Sequence, residues 1–192
     1  MHRVFCLGFG IVLLAVADAV ATPMIVVGQH DLLANTADQP VRIMVSGADE
    51  VQGLNFRAQV ADGGTHPDIG GSIEGPRITD VDLVSGTIFD GNTMGQSDVL
   101  SLPQISVQAA TTSAGTVMAE GLLATVTLDT TGFFEGTFGF SLADTRDGAT
   151  DFAGIPIGIT DGSIRIVPEP SAAMLLLAAA ALLPWFAFRT SR

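Results

Sequence analysis

The sequence predicts an all-β protein, an antiparallel sandwich or barrel of eight or nine short strands. Three observations carry that expectation. Apolar and polar residues alternate at period two through most of the chain between its two ends, the mark of half-buried strands. Turn residues punctuate these runs at short intervals, as at Asp90-Gly91-Asn92, Thr130-Thr131-Gly132 and Asp161-Gly162. No run of amphipathic helical periodicity reaches a convincing length.

The elements follow in order. Met24 to Gly28 is a short apolar strand. In Pro40 to Ser46, Val41, Ile43 and Val45 face one way, Arg42 and Met44 the other. After a turn at Gly47 to Glu50, Leu54, Phe56, Ala58 and Val60 alternate with Asn55, Arg57 and Gln59. Ala61 to Pro76, rich in Gly, Asp and Pro, reads as a long loop. Val81 and Leu83 alternate with Asp80 and Asp82 and lead into Gly86-Thr87-Ile88-Phe89. Gly95 to Pro103 reads as loop. Ile105, Val107 and Ala109 then alternate with Ser106 and Gln108. Leu122, Ala124, Val126 and Leu128 form the clearest strand, followed by Phe138, Phe140 and Leu142. A loop from Ala143 to Gly154 precedes Ile155 to Ile159, and Ser163 to Val167 closes the domain. Phe56, Phe138 and Phe140 are the expected aromatic core, since eleven Phe and no Tyr suit filling rather than display.

Both ends read as targeting segments. Arg3, an apolar run from Val4 to Val16, and Ala19-Val20-Ala21 are the three parts of a secretion signal, which places residues 1–21 in a cleaved peptide. At the other end, Ala172 to Phe188 carries no charge. As a helix it spans about 26 Å, against a bilayer core of roughly 30 Å, a short but sufficient transmembrane helix. Pro168 and Pro170 disfavour helix just before it, and Arg189 and Arg192 set a cytoplasmic end. Residues 22–166 then suit one domain, because a chain of about 150 residues buries roughly 70% of its unfolded surface.

Composition narrows the function. The chain has no lysine, and residues 22–166 hold five Arg against eighteen Asp plus Glu, a net charge of −13. Phosphate backbones need cations, so nucleic acid and anionic lipid are excluded as partners of this domain. The single cysteine, Cys6, lies in the signal segment, so the domain has no disulfide and no thiol nucleophile. There is no Gly-x-Ser-x-Gly elbow, and without lysine there is no Schiff base. His30 and His66 sit in turns with no companion at metal-ligand spacing. Asp80 and Asp82 share a strand face, which is the ordinary wet face of a sandwich strand rather than an acid–base pair. No catalytic residue is assigned. Asp144, Asp147 and Asp151 around Gly148 could offer oxygens to calcium. Arg146 interrupts them and no glutamate closes the loop, so a solvated acidic loop is the stronger reading.

Two resemblances add to this. Val167-Pro168-Glu169-Pro170, the apolar run and the terminal arginines resemble the PEP-CTERM sorting signal of Gram-negative bacteria over residues 167–192. The resemblance implies export, at least transient anchoring in the inner membrane, processing by an exosortase-like membrane enzyme, and delivery to the cell envelope or extracellular matrix. Residues 51–60, 121–128 and 161–166 resemble the cohesin-like domains of bacterial envelope proteins, jelly-roll sandwiches related to carbohydrate-binding modules. That implies a non-enzymatic module for protein–protein adhesion through a sheet face, with an envelope protein as partner. Matrix polysaccharide is the alternative, and no cofactor is expected.

Overall fold

A computed structural model describes residues 22–47, 49–62, 75–142 and 150–168. The expected signal segment, the apolar run 172–188, Glu169, Pro170, Arg189, Arg192, His66, Asp144 and Asp147 lie outside the described residues.

Thirteen strands form among the described residues. They are β1 (Met24–Val26), β2 (Gln29–Leu33), β3 (Gln39–Ser46), β4 (Glu50–Val51), β5 (Gly53–Val60), β6 (Arg77–Asp82), β7 (Gln96–Leu102), β8 (Ile105–Thr111), β9 (Val117–Met118), β10 (Gly121–Asp129), β11 (Gly136–Ser141), β12 (Gly158–Thr160) and β13 (Gly162–Val167). A five-stranded sheet runs in the order β12-β1-β3-β10-β6, and a six-stranded sheet in the order β2-β13-β11-β5-β8-β7. Strands β4 and β9 pair separately. The two large sheets face each other over one core, so the all-β sandwich holds.

The expectation of purely antiparallel sheets does not. β1 pairs parallel with β12, and β2 pairs parallel with β13. The first and last stretches of the domain lie side by side, and both cross from one sheet to the other. They cross at Gly28 and Gly162. Val27 N donates to Thr160 O at 3.0 Å just before the crossing, and Ser163 N donates to Gly28 O at 3.0 Å just after it. Gly162 leaves room for this approach: a Cβ there would collide with the Gly28 carbonyl oxygen and stand 2.8 Å from Val27 Cγ1. The strand count exceeds eight or nine because β2, the edge strand β7 and the short pair β4 and β9 add to the expected strands.

Alternation locates the core correctly in most strands. Val41, Ile43 and Val45 are buried, while Arg42 and Met44 are exposed. Leu54, Phe56, Ala58 and Val60 line the facing sheet. Each buried Val, Ile, Leu or Phe among them stabilises the fold by about 1.5–3 kcal/mol when taken from water. Phe56 and Phe140 are fully buried. Phe138 is half-buried, and its ring meets Phe133 edge-to-face at 5.7 Å.

Four expectations need correction. Residues 95–103 are mostly strand, not loop: β7 is an edge strand whose residues are exposed or half-exposed, so no buried face wrote an alternation into it. Val107 and Ala109 face outward, because register sets Ser106, Gln108 and Ala110 opposite the core residues Ala58, Phe56 and Leu54. In β10 the register shifts between Leu122 and Ala124, a bulge that turns Leu122 outward and buries both Leu123 and Ala124. Gly86 to Phe89 forms turns, not strand, with Phe89 still fully buried.

The inward polar residues of β8 are satisfied. Gln108 Nε2 donates to Asp98 Oδ1 at 3.0 Å and to Ser106 Oγ at 3.3 Å. Gln96 Nε2 donates to Gln108 Oε1 and to Val81 O, and Gln96 Oε1 accepts from Leu83 N at 2.7 Å. This network ties β7 to the strand opposite it, β6, and closes one side of the sandwich with hydrogen bonds instead of apolar contact.

Candidate functional site

Two surfaces stand out, the outer face of the five-stranded sheet and the end from which the chain leaves β13. On the sheet, cross-strand register aligns Val26 with Met44 and Met44 with Leu122, one row across β1, β3 and β10. Met24 lies two residues from Val26 on the same face, opposite Ser46, with its thioether over Gly158. Val26, Met44 and Met24 are 44%, 48% and 42% exposed. Alternation explains their position: each stands between buried neighbours in its strand, so each must point to water. The next row is polar, with Arg42 opposite Thr125 and Thr125 opposite Asp82. An exposed apolar row of this kind stays costly in water until something covers it. Methionine suits such a surface, because its flexible thioether moulds to varied partners.

The exit end is built differently. Val167 ends β13 in register with Leu33, and its carbonyl accepts from Ala34 N at 3.2 Å. Thr130 is fully buried, and its hydroxyl oxygen accepts from Thr36 N and Gln39 Nε2, both at 3.0 Å. Gln39 also grips Leu33 at both backbone groups, accepting from its N–H at 2.7 Å and donating to its carbonyl at 3.0 Å. Asn35 N donates to Phe133 O, and Asn35 Oδ1 accepts from Gly132 N. These bonds lock the two loops of this end together. On top of them an open depression of about 350 Å³ is lined by Ala34, Asn35, Phe134 and Pro168. Phe134 is 63% exposed and Leu33 49%.

The sites expected from sequence are scattered. Val167 and Pro168 belong to the exit end. Asp151 is held to β5: it exchanges backbone hydrogen bonds with Asn55, and its Oδ1 accepts from Asn55 Nδ2 at 3.1 Å and Ala153 N at 2.8 Å. His30 Nε2 lies 2.7 Å from Val27 O, a local strand contact. Asp82 caps the turn that follows it, accepting from Val84 N and Ser85 N, both at 2.8 Å. Partial burial works to raise its carboxyl, but the donors on Ser85 and Val84 hold it below the ordinary carboxylate range. Asp31 forms an exposed pair with Arg165, whose guanidinium holds the Asp31 carboxyl low. Among the described residues, no three His, Cys, Asp or Glu side chains converge as a metal site would need. Among the same residues, no helix is long and apolar enough to cross a membrane.

Sequence reasoning missed the buried Arg57. It lies in β5 on the outward face, donates from Nη2 to Gln59 Oε1 at 2.8 Å, and exchanges backbone bonds with the Thr150 hydroxyl. Residues 150–152 continue the sheet beside β5 where β11 ends, and no local pattern announced that cover.

Solved structures match this chain over most of this two-sheet sandwich. The fold is cohesin-like. A non-cellulosomal cohesin from Archaeoglobus fulgidus superposes with a TM-score of 0.51 at 18% identity, covering 80% of this chain and 96% of its own. The seventh ScaB type I cohesin of Pseudobacteroides cellulosolvens gives 0.55 at 14% identity, over 79% and 96%. A type I cohesin–dockerin complex from Clostridium thermocellum gives 0.53 at 11% identity, over 80% and 99%. These cohesin-like likenesses concern the fold. No family model and no curated protein matches the chain.

Proposed function

We propose that residues 22–166 form an exported, non-enzymatic binding module that docks a protein partner on the outer face of the five-stranded sheet. The row Val26, Met44 and Leu122, with Met24 beside it, carries this reading. Three solved neighbours support the class of partner, because they are cohesins caught with or named for dockerin binding. Delivery falls to the PEP-CTERM-like tail: Val167-Pro168-Glu169-Pro170 marks the sorting signal, 172–188 crosses the inner membrane, and Arg189 and Arg192 hold its cytoplasmic end. An exosortase-like enzyme processes the tail and passes the domain to the envelope or matrix.

Matrix polysaccharide is the competing ligand. Sugars stack on ring faces, and Phe134 is the strongly exposed ring among the described residues. The protein immobilised as bait on matrix extract, fractionated into protein and polysaccharide, separates the two. Saturable retention of one protein, abolished in Met44→Asp and kept in Met94→Asp, supports the sheet-face reading. Retention of polysaccharide alone, lost in Phe134→Ala, replaces it.

A further inference from the structure

The exit end of the sandwich has an address that the sheet face lacks. β13 runs toward the end where β3 begins and β8 starts, at Gln39 and Ile105. Met94, 78% exposed, sits at the opposite end, where its N–H donates to Thr111 O. β8 lies between the two ends, roughly 20 Å of strand. Val167 is still in the sheet, and the uncharged run begins at Ala172. The five Cα steps between them span at most about 18 Å. The polar headgroup layer takes up roughly 5–8 Å of that on one side of a bilayer. Little linker remains, so the end carrying Leu33, Phe134 and Pro168 is held close to the lipid surface whenever the run is embedded.

We propose that this end lies on the membrane, with Phe134 and Leu33 as its lipid contacts, and that the lipid it fits is zwitterionic. This rests on reading 172–188 as a membrane segment. The chemistry of the surface matches the place. Phe134 and Leu33 are exposed apolar groups on a platform locked by Thr130, Gln39 and Asn35, so little ordering is left to oppose insertion. Asp38 and Glu135 are exposed in the same two loops. In a chain of net charge −12 they repel anionic headgroups, whose surface potential acts over about a Debye length. The docked domain turns its far end, with Met94, away from lipid. The sheet face with Met44 stands at the side, free for a partner while the tail awaits processing.

The test uses the chain without residues 1–21, which then holds no native cysteine, reconstituted into phosphatidylcholine vesicles. An environment-sensitive dye goes on Phe134→Cys in one sample and on Met94→Cys in another. Spin-labelled lipid in the bilayer should quench the dye at 134 several-fold more than at 94. Adding Leu33→Asp should bring quenching at 134 down toward the level at 94. Mixing in phosphatidylglycerol should weaken it at low salt. Flotation with the vesicles but equal quenching at the two positions overturns the docking and leaves the membrane segment standing. Failure to float with vesicles overturns the membrane segment, and the docking with it. A shift of the dye at 134 on adding matrix polysaccharide, without lipid quenching, overturns the docking in favour of a sugar contact.

Discussion

Replacing Gly162 by alanine tests the crossing on which the topology depends. The position has no left-handed backbone requirement, so an alanine there meets a purely steric obstacle. Its Cβ would collide with the Gly28 carbonyl oxygen and come within 2.8 Å of Val27 Cγ1. To relieve this, the two crossing stretches must separate. Overpacking of this kind costs about 1–3 kcal/mol. The same movement stretches the 3.0 Å bond from Ser163 N to Gly28 O, worth about 1 kcal/mol when lost. Gly162→Ala should therefore destabilise by about 2–4 kcal/mol, a large part of a domain's margin of about 5–15 kcal/mol. Gly28→Ala is the internal comparison. Gly28 has φ of +80° with nothing within 4 Å of a new Cβ, so it meets only left-handed strain, about 1–2 kcal/mol. Urea unfolding followed by far-ultraviolet circular dichroism reads both. A Gly162→Ala variant within about 0.5 kcal/mol of wild type, the range of a neutral surface change, would refute the close crossing.

Other outcomes follow from the same structure. Phe140→Ser empties a fully buried site and should cost about 3–5 kcal/mol; an unchanged melting temperature would contradict the facing of β11. The carboxyls of Asp82 and Asp129 are both held below their ordinary value in the fold, Asp129 by the hydroxyl and N–H of Thr131. A depressed folded pKa gives stability that is present above the unfolded value of about 3.9 and lost as pH falls through the folded one. The urea midpoint should therefore drop on acidification below about pH 4, and less in Asp82→Asn, whose amide oxygen still accepts from Val84 and Ser85; equal drops would oppose the capping role. Calcium at millimolar concentration, against chelator, should leave the melting temperature unchanged, since Asp151 Oδ1 is already shared between Asn55 and Ala153. A rise would instead support a calcium loop at Asp144, Asp147 and Asp151.

The all-β class and most of the core were legible in the sequence, because a strand with one wet face writes its burial as alternation. Val41, Ile43, Val45, Leu54, Phe56 and Val60 could be placed from local pattern alone. Alternation says which residues share a face, but not what lies across from them. Ser106 and Gln108 look like wet residues until pairing with Ala58 and Phe56 turns them inward, where Gln96 and Asp98 satisfy Gln108 and Gln108 satisfies Ser106. Strand β7 wrote no signal, since an edge strand with no buried face has no burial to record. The candidate sites divide in the same way. The expected targeting segments are runs of adjacent residues, so the expectation rests on composition and order alone. The row Val26, Met44 and Leu122 joins three strands far apart in the chain, and the exit end joins Leu33, Asn35, Phe134 and Pro168. Only long-range pairing brings such residues together, so only the tertiary structure could decide them.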